Sequence, residues 1–296
     1  MMINFKTNKA YFDKYFDRQG IWCRDIEQHS EYQLINQAGL TIMAISSDES
    51  LMALRDYHDK KQIIIYHIHQ KQIIKTLTHA HYEYLCFSQD NRYLFVLTKH
   101  GDQWEPQKSA PLCMDLIDDS ITEFQNILEN WGGLSYDKRQ NCVYFYGFCV
   151  SKLYKFCFDD FIISQIGTDK KIKVRDCKVS HDGRGYYYMG SNHLIFMDNN
   201  DNLIWKMDLR TRADIKNPTI LSFDICGNAD FIYVYMYDRI LICDLANDDY
   251  QIYKIGGAYI APYFSSCVYL QDMGKHEILD LSTLTTHEFL PLDTNV

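Results

Sequence analysis

The chain has 296 residues, 47% of them hydrophobic and 15% aromatic, with 23 Tyr and 16 Phe. That composition can bury a large core and favours strand, where aromatic and β-branched side chains pack well. A formal net charge of -9 repels phosphate backbones and anionic headgroups, which argues against nucleic acid and against membrane surfaces as partners.

Only five prolines occur, and no Ser/Gly/Pro-rich linker interrupts the chain, so a single domain over residues 1–296 is expected. The N-terminal stretch "MMINFKTNKAYFDKYF" has no continuous apolar h-region. Charged residues break the apolar runs well before the ~20 residues a membrane helix needs. The ten cysteines (Cys23, Cys86, Cys113, Cys142, Cys149, Cys157, Cys177, Cys226, Cys243 and Cys267) sit mostly in hydrophobic runs and form no Cys-x-x-Cys pair. They read as reduced core residues of a cytoplasmic protein, not as a zinc site or a disulfide framework.

Along the chain, one hydrophobic run after another enters a polar turn and leaves it as a second run. The turn slot is Asn8 in "INFKTNKAYF", Asp48 in "MAISSDESLMAL" and Asp90 in "CFSQDNRYLF". It is Asp137 in "GLSYDKRQNCVYFY", Asp182 in "KVSHDGRGYYYM", Cys226-Gly227 in "LSFDICGNADFIYVYM" and Ser266 in "PYFSSCVYL". A second marker closes a later hydrophobic run of each module: Asp25, His67, Asp115, Phe156, Asp198, Asp244 and Asp280. Seven modules follow, at 1–38, 39–79, 80–127, 128–168, 169–213, 214–256 and 257–296.

Each module reads as strand, tight turn, strand, loop, strand, turn, strand. In the second these are "LTIMAIS", "DESLMALRDY", "KQIIIYHIH" and "KQIIKTLT"; in the sixth, "PTILSFD", "DFIYVYMY", "RILICDL" and "YQIYKIG". Short runs between Asn/Asp/Gly/Ser turns are strand signals, and no sustained helical period competes with them. A lone four-stranded sheet cannot bury both faces, whereas seven arranged radially cover one another. The expected fold class is therefore all-β, a seven-bladed β-propeller of four-stranded antiparallel blades. Four consecutive strands per blade are expected, the alternative being an N-terminal strand that completes the seventh module.

The passage "LTHAHYEYLCFSQDN" (Leu77 to Asn91) resembles the WD-repeat family's run from a Leu-x-Gly-His start through an inner strand into a Phe-Ser-Pro-Asp-Gly turn. The resemblance extends weakly over all seven modules and supports the same fold. The Trp-Asp pair of that family is absent, and of the Asp turn slots Asp182-Gly183 alone keeps Asp-Gly. Ser47, Ser88, Ser135 and Ser180 occupy its turn position and read as structural.

No phosphate loop and no nucleophile motif occurs. The expected function is therefore a non-catalytic protein-binding propeller, of which a cytoplasmic inhibitor or immunity-type protein is one form, with no cofactor and no bound metal. Loops on a rigid scaffold carry binding residues, and the loop "KHGDQWEPQKSAP" (Lys99 to Pro111) is longer than its counterparts "YHDKK", "GSNH" and "MYDR". Its Trp104 is an interface anchor in type, flanked by Asp102 and Glu105, or else folds back over the blade edge. The equivalent loops add Tyr57, His58 and Asp59, and Tyr237, Asp238 and Arg239.

A second candidate surface is acidic. No basic residue lies between Lys108 and Lys138, a stretch that carries Asp115, Asp118, Asp119, Glu123, Glu129 and Asp137. Asp118, Asp119 and Glu123 would steer a basic protein partner, or form a solvated face.

The competing class is an enzyme or metal-binding protein. It would use the inner strands, where Glu83, Arg175, Asp176 and Lys178 are the main charges and Glu83 with Asp176 could act as acid and base. Alternatively it would use His67-x-His69, two rings on one strand face, within a group that includes His58, His79, His81 and His100.

Overall fold

Six-residue runs rich in Ile, Leu, Val, Tyr and Phe fold as strands wherever a turn residue frees the chain to reverse. The computed structural model describes residues 3–6, 9–13, 19–56, 62–78, 82–98, 109–127, 129–147, 152–166, 173–180, 182–190, 192–212, 220–226, 231–245, 249–256, 259–262, 267–272 and 275–290.

The first sheet holds β1 (Ile3–Lys6), β2 (Lys9–Asp13), β3 (Ile21–Asp25) and β4 (Ser30–Ile35). The second holds β5 (Leu40–Ile45), β6 (Leu51–Asp56), β7 (Gln62–His67) and β8 (Gln72–Thr78). The third has β9 (Tyr82–Phe87), β10 (Tyr93–Thr98), β11 (Leu112–Asp115) and β12 (Ile121–Glu123). The fourth has β13 (Trp131–Asp137), β14 (Cys142–Gly147), β15 (Lys152–Cys157) and β16 (Ile162–Ile166). In the fifth are β17 (Val174–Val179), β18 (Gly185–Gly190), β19 (His193–Asp198) and β20 (Leu203–Asp208), followed by one helical turn, α1 (Leu209–Arg212). The sixth contains β21 (Ile220–Ile225), β22 (Phe231–Met236), β23 (Arg239–Asp244) and β24 (Asp249–Lys254). The seventh contains β25 (Tyr259–Pro262), β26 (Cys267–Asp272), β27 (Lys275–Asp280) and β28 (Thr285–Glu288).

These seven antiparallel four-stranded sheets are the blades of a β-propeller, and each falls inside its expected module. Every blade uses four consecutive strands, so the alternative in which the N-terminal strand completes the last sheet does not hold: β1 pairs with β2, Ile3 opposite Phe12.

Burial explains the composition. The middle strands are covered on both faces, as in β14 and β18, whose six residues are all buried. Outermost strands such as β12 and β28 are exposed throughout. Apolar layers fill the seams: Tyr11, Leu40, Ile42 and Met52 between blades one and two, and Leu85, Phe87, Leu112 and Met114 with blade two's Ile63 and Ile65. Tyr187, Phe196 and Leu209 meet Phe223, Val234 and Leu241 between blades five and six. The chain divides into two compact units, one of Met1–Val150, Lys155–Ser164 and Pro291–Val296, the other of Ser151–Tyr154 and Gln165–Leu290.

The turn after the first strand has one construction in blades two, three and five. Ser46 Oγ accepts from Leu51 N at 2.9 Å and donates to Asp48 Oδ1 at 2.7 Å, while Glu49 takes φ 57°. Ser88, Asp90 and Asn91 repeat this, with Tyr93 N donating to Ser88 Oγ at 2.9 Å and φ 61° at Asn91. Ser180 repeats the donation to the carboxylate, here Asp182, and its N–H donates to Gly185 O at 2.9 Å, with Gly183 at φ 70°.

The structure corrects several of the expected equivalences. The residue matching Ser88 in blade two is Ser46, not Ser47. Cys226 does not hold the Asp slot: its N–H donates to Phe231 O at 2.9 Å, as Ser46 N does to Leu51 O, so it stands in the serine's place. Ser135-Tyr136-Asp137 copies the Ser-x-Asp spacing, but β13 runs on through Asp137 and the positive φ falls at Asn141. Slots Asn8 and Ser266 lie outside the described residues.

The second marker is the last residue of the third strand. Asp25, Asp115, Asp198 and Asp280 each accept a backbone N–H from the following turn, from Gln28, Ile117, Asn200 and Ser282 at 2.8 to 2.9 Å. In blade four the position belongs to Cys157, one residue beyond Phe156, because Phe161 N donates to Cys157 O just as Asp119 N donates to Asp115 O. Cys157 is also joined to Cys142 by a disulfide across the strand pair, with 4.3 Å between their α-carbons. This corrects the expectation that all cysteines are reduced: the pair is 15 residues apart in sequence, and adjacency of β14 and β15 is what brings it together. Cys23, Cys86, Cys113, Cys177, Cys226 and Cys243 are buried free thiols.

Candidate functional site

Of the loop residues expected to bind a partner, Tyr57, His58, Asp59, Asp102, Trp104 and Glu105 lie outside the described residues. Tyr237, Asp238 and Arg239 are described. Tyr237 and Asp238 form the two-residue connection between β22 and β23, and Tyr237 is 71% exposed. The connection is fixed from both sides: Ile255 N donates to Asp238 O at 2.9 Å, and Arg239 grips the Asp238 carboxylate through Nε at 2.8 Å and Nη2 at 2.5 Å. That fork holds the Asp238 carboxyl below its ordinary range.

The acidic stretch is less acidic in space than in sequence. Asp115, Glu129 and Asp137 are buried. Arg92 pairs with Asp115 at 2.7 Å, and Lys75 pairs with Asp119 while donating to Leu116 O at 2.5 Å. Both cations come from earlier in the chain, Lys75 from β8 and Arg92 from the turn before β10, so a count along the stretch omits them. Asp118 and Glu123 remain at the surface, Asp118 accepting from Ser120 N at 2.9 Å, and beside them Ile117 is 75% exposed. Asp118 and Asp119 sit where β11 turns into β12.

A polar cluster lies on the first strands of blades five and six, strands that pack together. Asp176 Oδ2 accepts from Ser222 Oγ at 2.7 Å, and Asp176 Oδ1 accepts from Cys177 N at 2.9 Å. Lys178 Nζ lies 3.5 Å from Asp224 Oδ2, with side chains 27% and 28% exposed. Burial pushes the Asp176 carboxyl up, overriding the pull of Lys178 and Ser222. The Asp224 carboxylate, against the cost of burial, holds Lys178 charged and above the ordinary lysine range. A carboxyl whose proton affinity is raised by burial, beside a hydroxyl and a fixed cation, can exchange a proton with a small ligand.

The expected partner of Asp176, Glu83, has a side chain outside the described residues, and Ser222 and Asp224 were not anticipated. A signal for them existed. Asp176 and Lys178 are two apart, as are Ser222 and Asp224, so each pair shares a strand face. Module alignment sets Asp176 against Ser222 and Lys178 against Asp224.

The histidine pair loses its premise. β7 ends at His67, and His69 lies in the turn beyond, so strand alternation does not align the two rings. They meet edge to face at 6.1 Å, and His67 Nδ1 accepts from Gln70 N at 3.2 Å. His58, His79, His81 and His100 lie outside the described residues. Among the described residues no group of three or more His, Cys, Asp or Glu is placed to hold a metal ion, and no helix is long and apolar enough to cross a membrane.

No family model and no curated protein matches the sequence. Solved structures do match. A dihydro-heme d1 dehydrogenase, NirN, is 11% identical with TM-score 0.68, covering 97% of this chain; this chain spans 65% of its length. Virginiamycin B lyase from Staphylococcus aureus is 11% identical with TM-score 0.64, over 90% of this chain and 89% of its own. The β-propeller domain of Myceliophteria thermophila Cps50 (Swd1) is 7% identical with TM-score 0.68, over 94% of this chain and 96% of its own. Two of these names are enzymes and the third is a propeller domain, so at such identities the likeness establishes the propeller fold and leaves function to the residues.

Proposed function

We propose that the chain is a single-domain, WD-repeat-like, non-catalytic propeller of the cytoplasm that binds a basic protein partner, without nucleic acid, membrane or cofactor. Its docking face is formed by the loops between second and third strands: Tyr57, His58 and Asp59; Asp102, Trp104 and Glu105; Tyr237, Asp238 and Arg239. Tyr237 carries this reading. A large aromatic 71% exposed on a connection pinned by its own ion pair is a pre-ordered anchor for a partner surface. The net charge of -9 favours a basic partner, and an inhibitor or immunity-type role is one form such binding takes. The buried free thiols fit a reducing compartment, with Cys142–Cys157 as the exception.

Capture with the purified chain as bait, followed by titration calorimetry of the partner identified, tests the proposal. Tyr237→Ala and Trp104→Ala should each weaken binding by about tenfold or more. Unchanged affinity in both would remove the docking face from these loops.

A second reading, an enzyme, is favoured by the cluster of Asp176, Lys178, Ser222 and Asp224. Turnover of any component of a small-molecule extract, lost in Asp176→Asn and Ser222→Ala, would replace the binding reading.

A further inference from the structure

The first three strands of blade four place a carboxylate, a disulfide and an ammonium on one face. Asp137 lies directly opposite Cys142 across the β13–β14 pair, and the disulfide joins Cys142 to Cys157 on β15. Side chains directly opposite in neighbouring strands share a sheet face. Lys155, two residues before Cys157, stands on that face too: its Nζ lies 5.5 Å from the Tyr144 ring centroid and donates to Gln140 Oε1 at 2.7 Å.

Two acceptors around Cys142 suit a thiol better than a disulfide. Cys142 Sγ lies 3.0 Å from Gln140 O, within reach of an S–H donor, and a disulfide sulfur has no proton to give. Asp137 is 2% exposed, and its Oδ1 accepts from Arg139 N at 2.9 Å and Gln140 N at 3.2 Å. Its Oδ2 is buried and has no hydrogen bond. A buried oxygen without a donor is destabilising, and reduction would put S–H donors on the face that Asp137 shares. The two sulfurs also differ in access. Cys142 is 2% exposed, whereas Cys157 is half-buried, with the Lys155 ammonium on its face to attract an incoming thiolate.

We propose that Cys142–Cys157 is a reversible thiol–disulfide switch, opened by a low-molecular-weight thiol such as glutathione and closed by the corresponding disulfide. A glutathione thiolate attacks Cys157 Sγ, the S–S bond breaks, and Cys142 leaves with the electron pair and takes up a proton, becoming a donor for Gln140 O and Asp137 Oδ2. A second glutathione thiolate attacks the glutathione sulfur of the mixed disulfide and releases Cys157, which is protonated in turn. In sum, one protein disulfide and two glutathiones give two protein thiols and one glutathione disulfide, the protons lost by the glutathiones ending on the cysteines. The switch reaches blade three. Asn141, next to Cys142, accepts from Gln89 N in the turn of blade three at 2.9 Å and donates to Asp159 at 2.7 Å. Its carbonyl accepts from Phe158 N, next to Cys157, at 3.1 Å. Reduction unties both sides of this junction, so the Gln89 contact opens more often. None of this depends on the protein-binding reading.

The test equilibrates the full chain across a series of reduced-to-oxidised glutathione ratios, traps thiols by alkylation and maps them by peptide mass spectrometry. Cys142 and Cys157 should convert together within the series. Asp137→Asn keeps an oxygen for the turn N–H groups and removes the acceptor for the thiol, so it should make the disulfide about tenfold harder to reduce, a potential lower by about 30 mV. Lys155→Gln should slow reduction severalfold, and hydrogen exchange at Gln89 should be faster in the reduced chain. A pair that stays oxidised or stays reduced at every ratio overturns the proposal, as does a disulfide from either cysteine to Cys149. Equal exchange at Gln89 in the two states, or an Asp137→Asn midpoint equal to that of the unsubstituted chain, also overturns it. If Asp137→Asn does not fold, the titration of the unsubstituted chain and the rate in Lys155→Gln decide.

Discussion

Ser46, Ser88 and Ser180 are buried, and each Oγ makes contacts that a methyl cannot. Ser88 accepts from Tyr93 N and donates to Asp90 Oδ1, both inside 3 Å. Ser88→Ala leaves a turn N–H without its side-chain acceptor, and we expect a loss of about 1–3 kcal/mol, read from the urea midpoint at constant m-value. The serine was visible in the sequence as a recurring Ser-x-Asp. What was not visible is that the same three letters at Ser135 to Asp137 belong to a strand. Three residues cannot report whether the strand ends before or after them; that depends on β14 pairing Tyr144 with Ser135 and Cys142 with Asp137. For the same reason Cys226 could be placed in register only once Phe231 O was seen to receive its N–H.

At the scale of strands, the spacing of turns located all seven sheets, because a strand pair is a local event of known length. Pairings between blades were hidden, since they join residues some 40 positions apart. Lys75 meets Asp119 in this way, and Ser222 and Asp224 meet Asp176 and Lys178 likewise. Two substitutions separate the halves of the β17–β21 cluster. Asp224→Asn strips Lys178 of its closest counter-charge and should cost about 1–3 kcal/mol. Asp176→Asn, which keeps an acceptor for Ser222 and removes a charge that burial disfavours, should cost less; equal losses by chemical denaturation would contradict this. In the fourth blade Phe156 stacks on Phe95 at 4.6 Å and meets Phe158 edge-on at 5.0 Å. Phe156→Ala should therefore cost about 3–5 kcal/mol.

Over the molecule as a whole, turn carboxylates set the acid limit. Burial would raise the Asp48 and Asp182 carboxyls, but hydrogen bonds from Ser46, Ser50 and Asn91, and from Ser180 and Arg184, bring both below the usual range. Arg210 brings Asp208 to about 2. Groups lowered in the folded state contribute stability that is present above the unfolded carboxyl value and lost as pH falls through the folded one. Thermal midpoints should thus hold steady down to about pH 5 and drop below about pH 4; an acid-insensitive midpoint would contradict the turn bonding. Fold was legible at this scale because the repeat states it seven times, whereas a binding site is stated once, in loops whose lengths follow no period. The use of four consecutive strands in every blade has a further consequence, for synthesis. No sheet waits for a strand encoded elsewhere, so each can pair as soon as its own fourth strand leaves the ribosome. At roughly 5–20 residues per second, the nascent chain would complete a new sheet every few seconds, in the order in which the blades are written.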